Sequence, residues 1–118
     1  MPKTEGLNLI PGRVEKIKFN DARKFQSFKV PFIGWNTINI LKESYIYSGI
    51  DEKVFFYFVH SYSGILEDKK HLSSYSIYGD FKVTSSIEFN NIFATQFHPE
   101  KSGESGIQIY KNWAFKHN

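Results

Sequence analysis

The run VFFYFVHSY, residues 54–62, most constrains what this chain can fold into. Val54 through Val59 are all β-branched or aromatic. Such side chains lose rotamer freedom in a helix and pack well on a pleated surface. A run this short and this apolar predicts a strand covered on both faces. A doubly covered strand needs packed layers, so a layered α/β arrangement is expected. The remaining composition supports a core: 41% of the residues are hydrophobic, and 12 Phe and 7 Tyr favour strands over surface helices. At 118 residues the chain suits one domain, or part of a larger one.

Around that run the sequence alternates strand and turn signals. Pro11-Gly12 marks a turn, and Ile17 and Phe19 alternate with Lys16 and Lys18 as in a half-exposed strand. Residues 20–27 read as a polar loop. Residues 29–33 read as extended, with Pro31 disfavouring a central strand position. Gly34-Trp35-Asn36 reads as a compact turn, followed by a short apolar stretch at 37–41. Residues 42–53 form a mixed connection and 63–71 a charged loop. Residues 72–78 and 81–88 predict two strands joined through Gly79-Asp80, the second with one wet and one packed face. Asn90-Asn91 predicts another turn before a strand at 92–97. Ser102 is placed to cap a final helix with Glu104 in its first turn and Lys116 near its negative end. Ile107, Tyr110 and Ala114 recur at helical spacing there, with Trp113 and Phe115 nearby. Roughly seven strands share one helix, too few helices to cover a layered sheet alone.

Several function classes are disfavoured. The net charge is +3, but the 15 Lys and Arg are dispersed, with Arg23-Lys24 and Lys69-Lys70 only paired, so no nucleic-acid face is expected. No apolar run approaches the roughly 18 residues of a spanning helix, and MPKTEGLNLIPG has no apolar signal core. A soluble cytoplasmic protein is expected, with no membrane partner. The chain has no cysteine, which excludes a disulfide scaffold and a thiolate metal site.

The chemistry concentrates in FHPEK, residues 97–101. A histidine leaving a buried strand can act as general base for a nucleophile. A nearby carboxylate can hold its other nitrogen, fixing the tautomer and stabilising the imidazolium. Pro99 stiffens the turn between His98 and Glu100. A solvated surface-turn pair is the alternative reading of those two residues alone. A metal-dependent hydrolase using His60, His98 and Glu100 is a further, weaker reading, since no metal-ligand spacing supports it.

Four stretches extend the pattern: GLNLIPGRV (6–14), KVPFIGWN (29–36), YFVHSY (57–62) and ATQFHPEKSGE (94–104). In this order they resemble the glutaminase subunit of imidazole glycerol phosphate synthase, a class I (triad) glutamine amidotransferase, and specifically its C-terminal part. The resemblance implies an α/β fold, here a strand-rich mixed sheet with a C-terminal helix. It makes residues 1–118 a partial amidotransferase domain. It implies glutamine hydrolysis by a Cys-His-Glu triad. Ammonia then passes to a (β/α)₈ barrel synthase for histidine biosynthesis, without a cofactor. His98 and Glu100 match the triad positions. Ser61 and Tyr62 match the segment whose backbone holds the substrate. Lys101, Tyr57, Trp35 and Asn36 match the synthase interface. Core packing is the alternative for Tyr57 and Trp35, and a solvated surface role for Lys101; His60 reads as a core or supporting hydrogen-bond residue.

The chain departs from the family in two ways. The Gly-x-Cys-x-Gly elbow and the oxyanion-hole glycines would precede the matched region, so no glutaminase activity is expected from these residues alone. A complementing N-terminal half would have to carry the thiol. Phe32 stands where the family usually has histidine in P-H-x-G-W-N, which puts the local hydrogen bonding in question. Two alternatives stay open: a branch serving amino-sugar synthesis, and a non-catalytic binding or regulatory module for a synthase partner.

Overall fold

The computed structural model describes residues 11–21, 23–41 and 44–117. The first part of the 6–14 stretch, and the side chain of Lys116, lie outside the described residues. Strands run at Gly12–Lys16 (β1), Phe32–Thr37 (β2), Asn39–Ile40 (β3), Phe55–His60 (β4), Tyr62–Leu66 (β5), Leu72–Tyr78 (β6), Phe81–Phe89 (β7) and Ile92–Thr95 (β8). Helix α1 spans Gly103–His117 and closes the described chain. The strands form three antiparallel groups: β1 with β5, β2 with β4, and a four-stranded sheet in the order β3-β6-β7-β8. This is the expected strand-rich architecture with a C-terminal helix. Among the described residues no helix is long and apolar enough to cross a membrane.

The hairpins follow their turn residues. Gly79 has φ +64 between β6 and β7, and a Cβ there would also meet the Phe19 ring at 2.7 Å. Glycine is therefore required by backbone and by packing at once. Asn90 takes φ +54 between β7 and β8, a conformation asparagine tolerates.

Other expectations need correction. Gly34-Trp35-Asn36 is not a turn: it lies inside β2, paired with Phe56, Tyr57 and Phe58 of β4. Cross-strand pairing with an aromatic run outweighs the local turn signal of Gly and Asn. The alternating stretch near residue 17 is not itself a strand, since β1 ends at Lys16; Ile17 is instead buried in the core. Residues 63–71 are not a plain loop, because Tyr62–Leu66 pairs along β1 before a short 3-10 turn at Lys69–His71. Ser86, on the β7 face shared with Lys82, Thr84 and Glu88, is buried, so that face is not uniformly wet.

Of the run at 54–62, Phe55–His60 forms β4, and among the described residues only one of its faces is covered. Phe56 and Phe58 are fully buried while Phe55 is 55% exposed. The buried face meets Phe97, whose ring centroid lies 4.5 Å from Phe56 and 5.8 Å from Phe58. Phe32 stacks on Phe58 and on Tyr78, at 4.9 and 4.1 Å. Ile17, Ile38, Ile46, Val83 and Ile109 complete this core. At its margin, Tyr47 reaches a group of buried serine hydroxyls on β6 and β7, including Ser74 and Ser86. Burial pushes its phenol up to about 12.

Helix α1 also turns differently from its apolar spacing. Gly106 and Ile109 face inward, while Ile107 and Tyr110 are exposed. Asn112 donates to the carbonyls of Ile46 and Ser48, both at 2.8 Å. Those bonds and the close approach at Gly106 set the helix rotation. The helix carries apolar residues on several sides, so periodicity alone could not.

Candidate active site

The site forms where the chain leaves β8. Gln96 N–H donates to the Ser85 carbonyl at 2.8 Å, and Phe97 plugs the core. His98 N–H then donates to the Tyr57 carbonyl at 2.9 Å. The segment thus crosses from the β7–β8 ladder to the side of β4 not occupied by β2. Pro99–Lys101 makes a 3-10 turn, closed by Lys101 N–H on the His98 carbonyl at 3.0 Å.

Ser102 locks this turn. Its hydroxyl accepts from Tyr57 N–H at 3.0 Å and donates to the His98 carbonyl at 2.6 Å, and the residue is 3% exposed. The expected capping role is therefore replaced: the hydroxyl joins β4 to the His98 turn. Both backbone groups of Tyr57 are bound to this segment, which holds His98 against a rigid strand.

His98 Nδ1 lies 2.6 Å from Glu100 Oε1, with the two side chains 37% and 50% exposed. An ionised carboxylate only accepts, so Nδ1 carries the proton and Nε2 of the neutral ring presents a lone pair. Glu100 is held below the usual carboxylate range, first by its own backbone N–H and then by the His98 ring. Its second oxygen, Oε2, accepts from the Tyr110 hydroxyl at 3.2 Å. His98 and Glu100 are legible in the sequence; Tyr110 is not, because its distance from Glu100 depends on how α1 is rotated. The role of Ser102 had a signal, its position four residues after His98, but a cap explained that position equally well.

His60 ends β4, three residues beyond Tyr57, whose carbonyl holds the His98 backbone. Its Nδ1 donates to the Tyr62 carbonyl at 2.7 Å, and Nε2 is buried without a hydrogen-bond partner among the described residues. Burial first, and His98 second to it among the lowering causes, pushes the imidazole below its ordinary value. The ring lies against Phe32 and Phe58, at 5.5 and 5.8 Å. Phe32 thus supplies an aromatic wall and no hydrogen bond. Among the described residues no group of three or more His, Asp and Glu is placed to hold a metal ion, so the geometry adds no support to the reading through His60, His98 and Glu100.

The remaining residues divide by face. Ser61 lies at the bend between β4 and β5, its carbonyl accepting from Ile17 N–H at 2.8 Å, while Tyr62 opens β5. Trp35 and Tyr57 pair across β2 and β4 with ring centroids 5.6 Å apart, and Trp35 is 54% exposed. Ile33, Phe55 and Val59 share that outward face. Asn36 points the other way and donates to the Ile77 carbonyl at 2.9 Å, tying β2 to β6. Lys101 is exposed on the turn beside β4.

Residues 14–117 match the family described as glutamine amidotransferase class-I. The chain is 49% identical over 111 residues to imidazole glycerol phosphate synthase subunit HisH of Pelagibacter ubique, covering 94% of this chain and 51% of that protein. The HisH protein of Chlorobium luteolum is 44% identical over 97% of this chain and 54% of its own. The chain thus spans about half the length of the curated relatives it matches. A crystal structure of a Thermoplasma acidophilum protein, described as part of a GMP synthase, superposes with a TM-score of 0.63 at 19% identity. That likeness covers 90% of this chain and 51% of the other, and it bears on the fold alone. By sequence match over residues 14–117, this chain belongs to the class I glutamine amidotransferase family.

Proposed function

We propose that this chain supplies the base and its orienting carboxylate to a glutamine-hydrolysing site. The thiol would come from residues outside these 118, on the same polypeptide or another. The observation that carries the reading is the 2.6 Å His98–Glu100 pair, hung from β4 by backbone bonds with Nε2 left to take a proton. In this reading Nε2 accepts the thiol proton, the thiolate attacks the glutamine side-chain amide, and the protonated ring returns the proton to departing ammonia. Water then releases glutamate from the acyl-enzyme. Glu100 stabilises the imidazolium formed in each half. Residues 1–118 would be the C-terminal portion of an amidotransferase domain, with the bend at Ser61 and Tyr62 on the substrate side.

The names of the HisH relatives support an imidazole glycerol phosphate synthase as the partner; in this reading the ammonia is delivered to it for histidine biosynthesis, in the cytoplasm. The outward face carrying Trp35 and Tyr57, with Lys101 beside it, is the proposed contact. That exposed apolar face also favours the second reading, a synthase-binding module without chemistry of its own.

The test combines this chain with the half of the Pelagibacter ubique relative that it does not match and with the synthase partner, and measures glutamate release. Release is expected only with both halves present. His98→Ala should lower it by about 10⁴-fold. No release at any ratio, with the complex nonetheless formed, would leave the binding-module reading standing instead.

A further inference from the structure

We infer that Tyr110 is a positioning residue for the site: its hydroxyl holds the second oxygen of Glu100, and so fixes the carboxylate that orients His98. The inference rests on the reading of His98 and Glu100 as base and orienter, and adds to it a residue from a separate element.

Glu100 sits on a short turn with its side chain half exposed. A carboxylate there, held only by its own backbone N–H and by His98, keeps freedom to turn about its terminal bond and to exchange His98 for water. The Tyr110 hydroxyl closes on Oε2 at 3.2 Å while Oε1 keeps His98 at 2.6 Å. Two donors on two oxygens define the carboxylate plane, and with it the direction from which His98 Nδ1–H must approach. The donor itself is well placed, because α1 is anchored independently of it. Gly106 packs against the Pro99 carbonyl, Ile109 is buried, and Asn112 binds two carbonyls of the segment at 46–48. The tyrosine ring is exposed, so burial gives it little reason to be there. The distinctive contribution of this side chain is its hydroxyl.

The consequence is read in the tautomer of His98. The chain is labelled with ¹⁵N-histidine and kept well below the roughly 100 µM at which exposed apolar surface associates, and two-bond proton–nitrogen spectra are taken at alkaline pH, where imidazoles are neutral. The His98 signals are assigned with His98→Gln. The wild-type chain is expected to show predominantly Nδ1–H at His98. Tyr110→Phe should lower the ratio of Nδ1–H to Nε2–H by roughly threefold or more, the effect of losing a modest hydrogen bond, with His71 unchanged. Tyr110→Leu, lacking ring and hydroxyl, should match Tyr110→Phe; a much larger drop would make the ring the cause and overturn the inference. An unchanged ratio in folded Tyr110→Phe would also overturn it, while leaving the His98–Glu100 pair intact. No Nδ1–H excess in the wild type would instead overturn the pair itself, and the proposed function with it.

Discussion

His60 donates through Nδ1 to the Tyr62 carbonyl and faces Phe32 and Phe58, so protonating its buried Nε2 would place a charge in an aromatic slot. Burial accordingly depresses its folded-state pKa below the ordinary 6.5, and His98 lowers it further. The sign follows from linkage. The unfolded chain binds the proton more readily, so this contribution to stability is fully present above about pH 6.5 and is lost as pH falls through the lower folded value. Urea unfolding at about pH 7.5 and about pH 5 should show the wild-type midpoint falling with acid. His60→Asn places an amide donor where Nδ1 stood, toward the Tyr62 carbonyl, but does not titrate, so its midpoint should fall less. An equal fall in both proteins would mean that His60 is not held neutral by the fold. Glu100, also depressed, acts in a lower window, below its ordinary 4.5, and does not confound the comparison.

Helix α1 meets the His98–Glu100 turn at Gly106, where an added Cβ would lie 1.8 Å from the Pro99 carbonyl oxygen. Alanine is the better helix former by about 1 kcal/mol. The contact is nevertheless with backbone, so helix or turn must move, at a cost of about 1–3 kcal/mol typical of overpacking. Gly106→Ala should therefore lower the unfolding free energy by denaturant titration; a stabilised variant would show that the helix does not press on the turn. The same element shows where sequence reading reaches its limit. His98-Pro99-Glu100 was legible because the pair is local and its chemistry depends on a two-residue spacing. The Gly79 and Asn90 turns were legible because backbone conformation there is set by those residues. The buried stripe of α1 was not, since Ile107, Tyr110 and Trp113 offer an apolar face as convincing as the Gly106 and Ile109 side that packs. Gly34-Trp35-Asn36 was misread for a related reason: its strand conformation comes from pairing with β4, some twenty residues away in the chain.

At the scale of the whole molecule, the apolar run at 54–62 is left with one face uncovered. Register places Ile33 opposite Val59, Trp35 opposite Tyr57 and Thr37 opposite Phe55, and four of these side chains are exposed hydrophobics. Side-by-side apolar groups on a two-stranded sheet form the kind of patch that marks an interaction site in a folded protein. Without a partner, the same patch drives self-association. The chain alone should therefore sediment as oligomers at roughly 100 µM, within the range where exposed apolar surface associates. Replacing Ile33 and Phe55 together by lysine keeps the buried face of β2 and β4 unchanged. It should return the chain to a monomer with its thermal transition retained. If that face is also where a synthase docks, the double variant should lose partner binding in the same experiment. A wild-type chain that stays monomeric at this concentration would show the face to be non-adhesive. A double variant that still captured the synthase would move the interface elsewhere, toward Lys101 and the turn that carries His98.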